Sequence, residues 1–271
     1  MSAATSIPLE KRMYYTRTGS VRIDDPPRAG AAKKRTEKNS ASNTRQDFLF
    51  GVDMTPRVNR ASLSQWFTPE GIALGMARWT LELAPKRHCR ILEPSAGSGA
   101  LTRALFDVFG KAGRDAYVDA HEIDPRWAEQ LPAGVRTDAR RFFEMHVHEG
   151  DFRVAKRPDF IYSVSCMNPP YEGGMDGLFL EACMTCSDGI VILIRSAALH
   201  GAGRCKAIWR RCQPGGEWVI PRLAKCEDRP DFEGSGAVKA TEGAKSEFSV
   251  VQMRRRRPSD PVHVPTLLEW W

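Results

Sequence analysis

The run Gly189-Ile190-Val191-Ile192-Leu193-Ile194 contains no polar side chain, and it limits the fold more than any other stretch. A strand with one face in water alternates apolar and polar residues. A strand that is apolar at every position is buried on both faces, as in the middle of a mostly parallel sheet covered by helices. The segments around it fit that arrangement. Strands are expected at Tyr117–His121 and Phe160–Met167. A strand, a loop and a helix follow one another over Ile91–Phe109, and another helix lies around Gly177–Thr185. A helix is also expected over Pro69–Leu83, with Thr68 as N-cap and Pro69 at the first helical position. Alternating strands and helices imply an α/β doubly wound sheet, with ligands at the carboxyl ends of its strands. No internal repeat is visible.

Three of those strand ends carry chemistry. The run Phe160–Met167 ends in Asn168-Pro169-Pro170-Tyr171. An amine attached to an aromatic ring is a poor nucleophile, because its lone pair is delocalised into the ring. An Asn side-chain oxygen and the carbonyl of the next residue can accept from its two N–H bonds and localise that lone pair. The prolines fix φ and so set the carbonyl direction in advance. The tyrosine offers a flat face on which a base can stack.

Upstream, Arg90-Ile91-Leu92-Glu93 is followed by Pro94-Ser95-Ala96-Gly97-Ser98-Gly99 and a helical pattern. Gly97 and Gly99 permit a tight turn and close approach of a ligand to the backbone. The amides that open the helix at about Ala100 point into the same space. The spacing differs from the dinucleotide G-x-G-x-x-G, and Glu93 suits a ligand with a positive centre better than a pyrophosphate. Glu122 closes the next strand, 29 residues after Glu93, and is followed by Ile123-Asp124-Pro125. An acid in that place can bond ribose hydroxyls.

Taken in order, Leu92–Gly99, His121–Pro125 and Met167–Tyr171 resemble the successive motifs of S-adenosylmethionine-dependent N6-adenine DNA methyltransferases. Gln65-Trp66-Phe67-Thr68-Pro69-Glu70-Gly71-Ile72-Ala73 resembles a further segment of that family, Q-F-F-T-P-x-x-x-A. The resemblance covers about residues 62–200, and more loosely the chain to Val251. It implies a Rossmann-like sheet of the class I methyltransferase type, S-adenosyl-L-methionine as cofactor and DNA as partner. It also implies roles. Thr68 and Pro69 hold the methionine end of the cofactor. Glu93, Pro94, Ser95, Gly97 and Gly99 wrap it, and Glu122 with Ile123 binds the ribose. Asn168, Pro169, Pro170 and Tyr171 grip the target base.

One family position is ambiguous. An acid after the third strand bonds the cofactor's adenine amine, and both Asp138 and Asp151 are suitably spaced. A strand-to-helix transition, Val135-x-x-Asp138 followed by a helix over Arg140–Met145, favours Asp138. Asp151 carries Phe152 behind it, which could pack on the adenine.

The rest of the sequence sets limits. Its 271 residues allow one large domain with extensions, read as an N-terminal arm (1–60), a catalytic core (61–200) and a remainder (201–271) that completes the sheet and supplies DNA-contacting loops. Residues 1–60 hold 12 Lys and Arg against 6 Asp and Glu and little apolar periodicity, so they read as a disordered basic arm able to meet phosphates. Arg254–Arg257 is a second basic cluster that could track a phosphate backbone. No run reaches the ~18 apolar residues of a membrane span. Seven cysteines form no even framework, and Cys183-x-x-Cys186 has no second pair, which implies a reduced, cytoplasmic protein without a metal site. Three alternatives stay open: methylation of RNA, methylation of a protein glutamine amide, and a non-catalytic DNA-binding protein on the same scaffold.

Overall fold

In the computed structural model the described residues are 66–131, 134–138, 141–155, 158–227, 230, 233–234 and 247–271, together with β1 (Tyr14–Tyr15) and β2 (Val21–Arg22). The chain divides into two units, Met1–Gln46 and Asp47–Trp271. In the first, β1 and β2 pair antiparallel. The rest of the expected basic arm lies outside the described residues.

Along the second unit the elements are β3 (Trp66–Phe67), α1 (Glu70–Leu83), β4 (Cys89–Glu93), α2 (Ala100–Lys111), β5 (Ala116–Glu122), α3 (Pro125–Ala128), β6 (Gly134–Asp138), β7 (Arg141–Glu149), β8 (Tyr162–Met167), α4 (Met175–Cys186), β9 (Ser187–Arg195), α5 (Ala202–Ala207), β10 (Trp218–Lys225), β11 (Glu233–Gly234), β12 (Phe248–Arg255) and β13 (Leu267–Trp270). One sheet runs in the order β13-β10-β12-β9-β8-β4-β5-β7-β6. Its central strands β9, β8, β4, β5 and β7 are all parallel. β12 is antiparallel to both of its neighbours, and β6 forms an antiparallel edge with β7. The chain winds outward from β4 through β5 to β7, then returns to β8 on the other side of β4. The sheet is therefore doubly wound, with its switch point between β4 and β8, where a ligand crevice forms.

The apolar run explains the layering. Val191 and Leu193 join the core beneath α1 and α2, while Ile190, Ile192 and Ile194 join the core beneath α4. All five are fully buried, each contributing on the order of 1.5–3 kcal/mol relative to exposure. α1 buries Ala73, Met76, Ala77 and Thr80, the spacing of one helix face. It ends where Ala84 turns extended before Pro85. Its N-cap is Pro69 rather than Thr68, one residue later than expected, because the Thr68 hydroxyl is engaged elsewhere.

Of the helix expected over Arg140–Met145, the described residues 141–145 are instead part of strand β7. Phe143 and Met145 are buried and alternate with Phe142, Glu144 and His146, a period of two rather than 3.6. Cys183 and Cys186 are both buried within α4. Among the described residues, no helix is long and apolar enough to cross a membrane.

One ion pair ties α4 to α5. Asp176, fully buried in the first turn of α4, accepts from both terminal nitrogens of Arg204 at 2.9 and 2.7 Å. Removing one member of a buried pair leaves an uncompensated charge. Asp176→Ala should therefore lower the unfolding free energy in urea by about 3 kcal/mol, whereas a loss within error would mean that water already screens the pair.

Candidate active site

The carboxyl ends of β4, β5, β7 and β8 meet around the switch point. β4 delivers Glu93, fully buried. Its Oε2 accepts from the Thr102 hydroxyl in the first turn of α2, and its Oε1 has no hydrogen-bond partner among the described residues. Burial pushes this carboxyl up to about 8, against the opposing effect of the Thr102 hydroxyl.

The loop after Glu93 is fastened to the end of β5. The Gly97 amide donates to Glu122 Oε2 at 2.6 Å, the Asp124 amide to Glu122 Oε1 at 2.8 Å, and the Ala96 amide to the His121 carbonyl at 2.9 Å. Burial raises the Glu122 carboxyl above its usual value, and the two backbone donors oppose that shift. Gly97 has φ +53°, and a Cβ there would come within 3.3 Å of the Phe67 ring. The loop thus takes the left-handed turn that glycine tolerates, with β3 lying against it. Phe67 also packs edge-on against Trp127 of α3, at 4.9 Å. Ile123 is half-buried beside Glu122, and Asp124 caps α3, with Pro125 in its first turn.

Asn168 joins three distant segments. Its Nδ2 donates to the Trp66 carbonyl at 2.8 Å and to the Thr68 hydroxyl at 3.0 Å. A carbonyl can only accept, so the bond to Trp66 fixes which end of the amide is nitrogen. Asn168 Oδ1 accepts from the Tyr171 hydroxyl, and the Asn168 carbonyl accepts from Ser95 Oγ at 3.1 Å. Pro94 and Ser95 therefore lie directly against the Asn-Pro-Pro-Tyr turn, in which Pro169 is buried and Pro170 half-buried.

The tyrosine departs from expectation. Its ring is only 5% exposed and packs edge-to-face on Phe248 at 5.2 Å, so in this conformation it presents no open stacking face. Burial holds its hydroxyl well above the ordinary value, so it remains a donor at neutral pH. Arg195, directly after the apolar run, donates to the Tyr171 carbonyl at 2.7 Å and steadies the turn. Neither Arg195 nor Thr102 stood out in the sequence. The only cue was their position, at a strand end and in the first turn after a glycine loop.

Register puts the two candidate acids at opposite ends of β7. Asp138 pairs with Arg141 at the amino end of β7, on the edge of the sheet away from Glu93 and Glu122. Asp151 follows the carboxyl end of β7, where Glu149 pairs with Glu122 and the Gly150 amide donates to the Glu122 carbonyl at 2.8 Å. The helix whose expected start favoured Asp138 is instead a returning strand. Asp151 is held by Arg153 through two nitrogens, with Nε at 2.9 Å and Nη2 at 2.5 Å. Phe152 is buried against His121 and Phe179. A depression of about 520 Å³ beside it is lined by His121, His148, Asp151 and Phe160.

The arginine cluster has partners within the chain. Arg254 pairs with Gly189 at the amino end of β9, remote from the crevice. Its guanidinium holds Asp260 at 2.6 and 2.8 Å and drives that carboxyl well below the usual range. Arg255 lies over Trp218 and bonds the Met184 carbonyl, and Arg256 bonds the carbonyls of Gly216 and Pro261. These three arginines brace the carboxyl end of β12.

No family model matches the chain, and no curated protein matches it in sequence. Solved structures do match in fold. A Listeria monocytogenes protein described as a class I S-adenosylmethionine-dependent methyltransferase superposes with a TM-score of 0.54 at 16% identity, over 75% of this chain and 65% of that one. The methyltransferase subunit of a type I restriction-modification system from Streptococcus thermophilus gives 0.52 at 14% identity, over 72% and 46%. A Vibrio vulnificus protein described as a modification subunit of a type I restriction enzyme gives 0.52 at 12%, over 73% and 45%. The chain thus spans less than two thirds of each of these proteins. Its fold is the Rossmann-like sheet of class I methyltransferases.

Glu93 makes the site's stability depend on pH. Its folded-state pKa lies above the unfolded value of 4.5, so the protonated form is favoured by folding. That contribution is complete below about pH 4.5 and is lost as pH rises through about 8. Glu122 is shifted in the same direction. The ligand-free protein should lose thermal stability between pH 5 and 8.5, and Glu93→Gln should flatten most of that slope. An unchanged slope in the variant would place the titrating group elsewhere.

Proposed function

We propose that this chain transfers a methyl group from S-adenosyl-L-methionine to N6 of an adenine in DNA, after the base has left the duplex stack. The observation that carries the reading is the Asn168 node. An amide acceptor next to a proline carbonyl at the end of β8 is joined through Thr68 and Ser95 to both segments proposed to hold the cofactor.

The site's chemistry suits that cofactor. The unpartnered Oε1 of buried Glu93 is an acceptor that a cationic ligand would satisfy. Gly97 permits close approach to the backbone, and each Glu122 oxygen has a lone pair left for a ribose hydroxyl after its backbone bond. Thr68 and Pro69 border the same crevice, and Asp151 stands at the end of the third parallel strand, where an adenine amine would be met. S-Adenosylmethionine supplies a methyl group already activated on sulfonium.

The protein's own contribution is geometry and polarity. Asn168 Oδ1 retains a second lone pair beside its bond from Tyr171, and with the Pro169 carbonyl it accepts the two N–H bonds of the target amine. This localises the nitrogen lone pair towards the methyl donor, and the surplus proton leaves to solvent. Flipping a duplex base costs a few kcal/mol, which the grip of the pocket offsets. The basic composition of residues 1–60 favours a nucleic acid over a protein acceptor, and the two restriction-modification subunits among the fold neighbours favour DNA.

Losing a transition-state acceptor costs on the order of 10²–10³ in rate. Asn168→Ala should therefore lower kcat by about that factor, and because the same amide holds Thr68 calorimetric affinity for S-adenosylmethionine should fall as well, by a smaller factor than kcat. Glu122→Ala and Asp151→Ala should weaken cofactor binding, and Asp138→Ala should not. Near wild-type turnover by Asn168→Ala would refute the catalytic assignment. Weakening by Asp138→Ala but not by Asp151→Ala would refute the register-based choice of acid.

A further inference from the structure

Sheet register brings an unassigned aromatic side chain to the crevice end of the molecule. Arg195 at the end of β9 pairs with Phe248, Ser249 beside it pairs with Lys225, and Lys225 pairs with Trp270 of β13. The side chains of Ser196, Lys225, Cys226, Phe248 and Trp270 line a cavity of about 270 Å³. Phe248 is the same ring that packs against Tyr171, so the cavity adjoins the Asn-Pro-Pro-Tyr turn. Its volume falls just below the ~300 Å³ at which pockets for drug-sized ligands begin, a size for one planar base.

Trp270 is 59% exposed although the strand that carries it is firmly held. Next to it, the Trp271 ring packs at a tilt against Trp79, with centroids 4.4 Å apart. The Trp271 amide donates to the Lys225 carbonyl at 2.8 Å, and the Trp271 carbonyl accepts from the Glu227 amide at 2.6 Å. A large ring kept in water by an anchored backbone bears an unfavourable hydration cost that a stacked ligand would remove. The Lys225 ammonium lies 5.6 Å from the ring centroid, a cation–π contact that orients the indole. Glu227 and Glu247 stand at the rim. Their carboxylates oppose general capture of phosphates and instead accept from base-edge amines. Aromatic surface, one ammonium and carboxylate acceptors together match a nucleobase better than a bare polyanion.

We propose that Trp270 and Lys225 form a nucleobase subsite on the acceptor side of the crevice. Trp270 stacks an unpaired base of the acceptor strand, and Lys225 meets the adjoining phosphate. The proposal rests on the methyl acceptor being a nucleic acid. It supplies the stacking face that Tyr171, enclosed against Phe248, does not present in this conformation.

The test is the affinity of the full-length protein for fluorescently labelled, adenine-containing single strands, as DNA and as RNA of the same sequence, measured by anisotropy across a salt series. Base–aromatic stacking is worth about 1–3 kcal/mol per base. Trp270→Ala should weaken binding roughly tenfold at every salt concentration, leaving the salt slope and S-adenosylmethionine affinity unchanged. Trp270→Phe should recover most of the loss. Lys225→Gln should reduce the slope of log affinity against log salt by about 0.7. Unchanged binding in Trp270→Ala, or no strand binding by the wild type, overturns the subsite. If the strands bind and the variants behave as stated but no adenine is methylated, the subsite stands and the reaction assignment fails. The DNA and RNA arms show which strand the subsite prefers.

Discussion

The side-chain amide of Asn168 is the joint on which the crevice depends. It bonds Trp66 and Thr68, about a hundred residues away in sequence, and its backbone carbonyl bonds Ser95 in the glycine loop. Without those bonds, β3 and the turn after β8 would have no shared reference. A second joint, Glu122, clamps the other side of the loop through the Gly97 and Asp124 amides. Between them, the two polar side chains fix four segments in one place. Because Glu122 is buried and Asn168 half-buried, those hydrogen bonds count for more than they would in water.

The sheet makes these joints possible. Parallel strands put all their carboxyl ends at one edge, and the switch point leaves β4 and β8 side by side with their following loops diverging. The crevice is thus a consequence of winding order. The residues around it are those the chain places one to four positions after each strand: Ser95 and Gly97, Asp124, Asp151, and Asn168 to Tyr171. The apolar run of β9 supplies the rigid floor, since its side chains feed the hydrophobic cores on both faces.

Much of this was legible in the sequence, for a physical reason. A strand buried on both faces can only be apolar throughout, so 189–194 announced a central strand. The glycine loop and Asn-Pro-Pro-Tyr carry backbone demands that few residue types meet. The failures came where two periodicities compete over a short stretch. Arg141–Glu149 holds Phe, Met and Val at alternate positions, but charged neighbours and a preceding Asp suggested a helix start, and the preference for Asp138 rested on that helix. Other features were invisible because they depend on tertiary contact. Nothing local in Tyr171 foretells that its ring packs on Phe248, and nothing in four successive arginines foretells that Arg254 belongs to Asp260. The stacking potential of Trp270 arises only once β13 pairs with β10.

The central claim is that the Asn168 joint activates an aromatic amine for methylation. It is tested most directly by incubating the protein with S-adenosylmethionine carrying an isotopically labelled methyl group and double-stranded DNA, digesting the product to nucleosides, and locating the label by mass spectrometry. The account predicts labelled N6-methyldeoxyadenosine, formed by the wild-type protein and lost in Asn168→Ala. Label found only on another nucleoside, or none at all from a protein that demonstrably binds the cofactor, would contradict it.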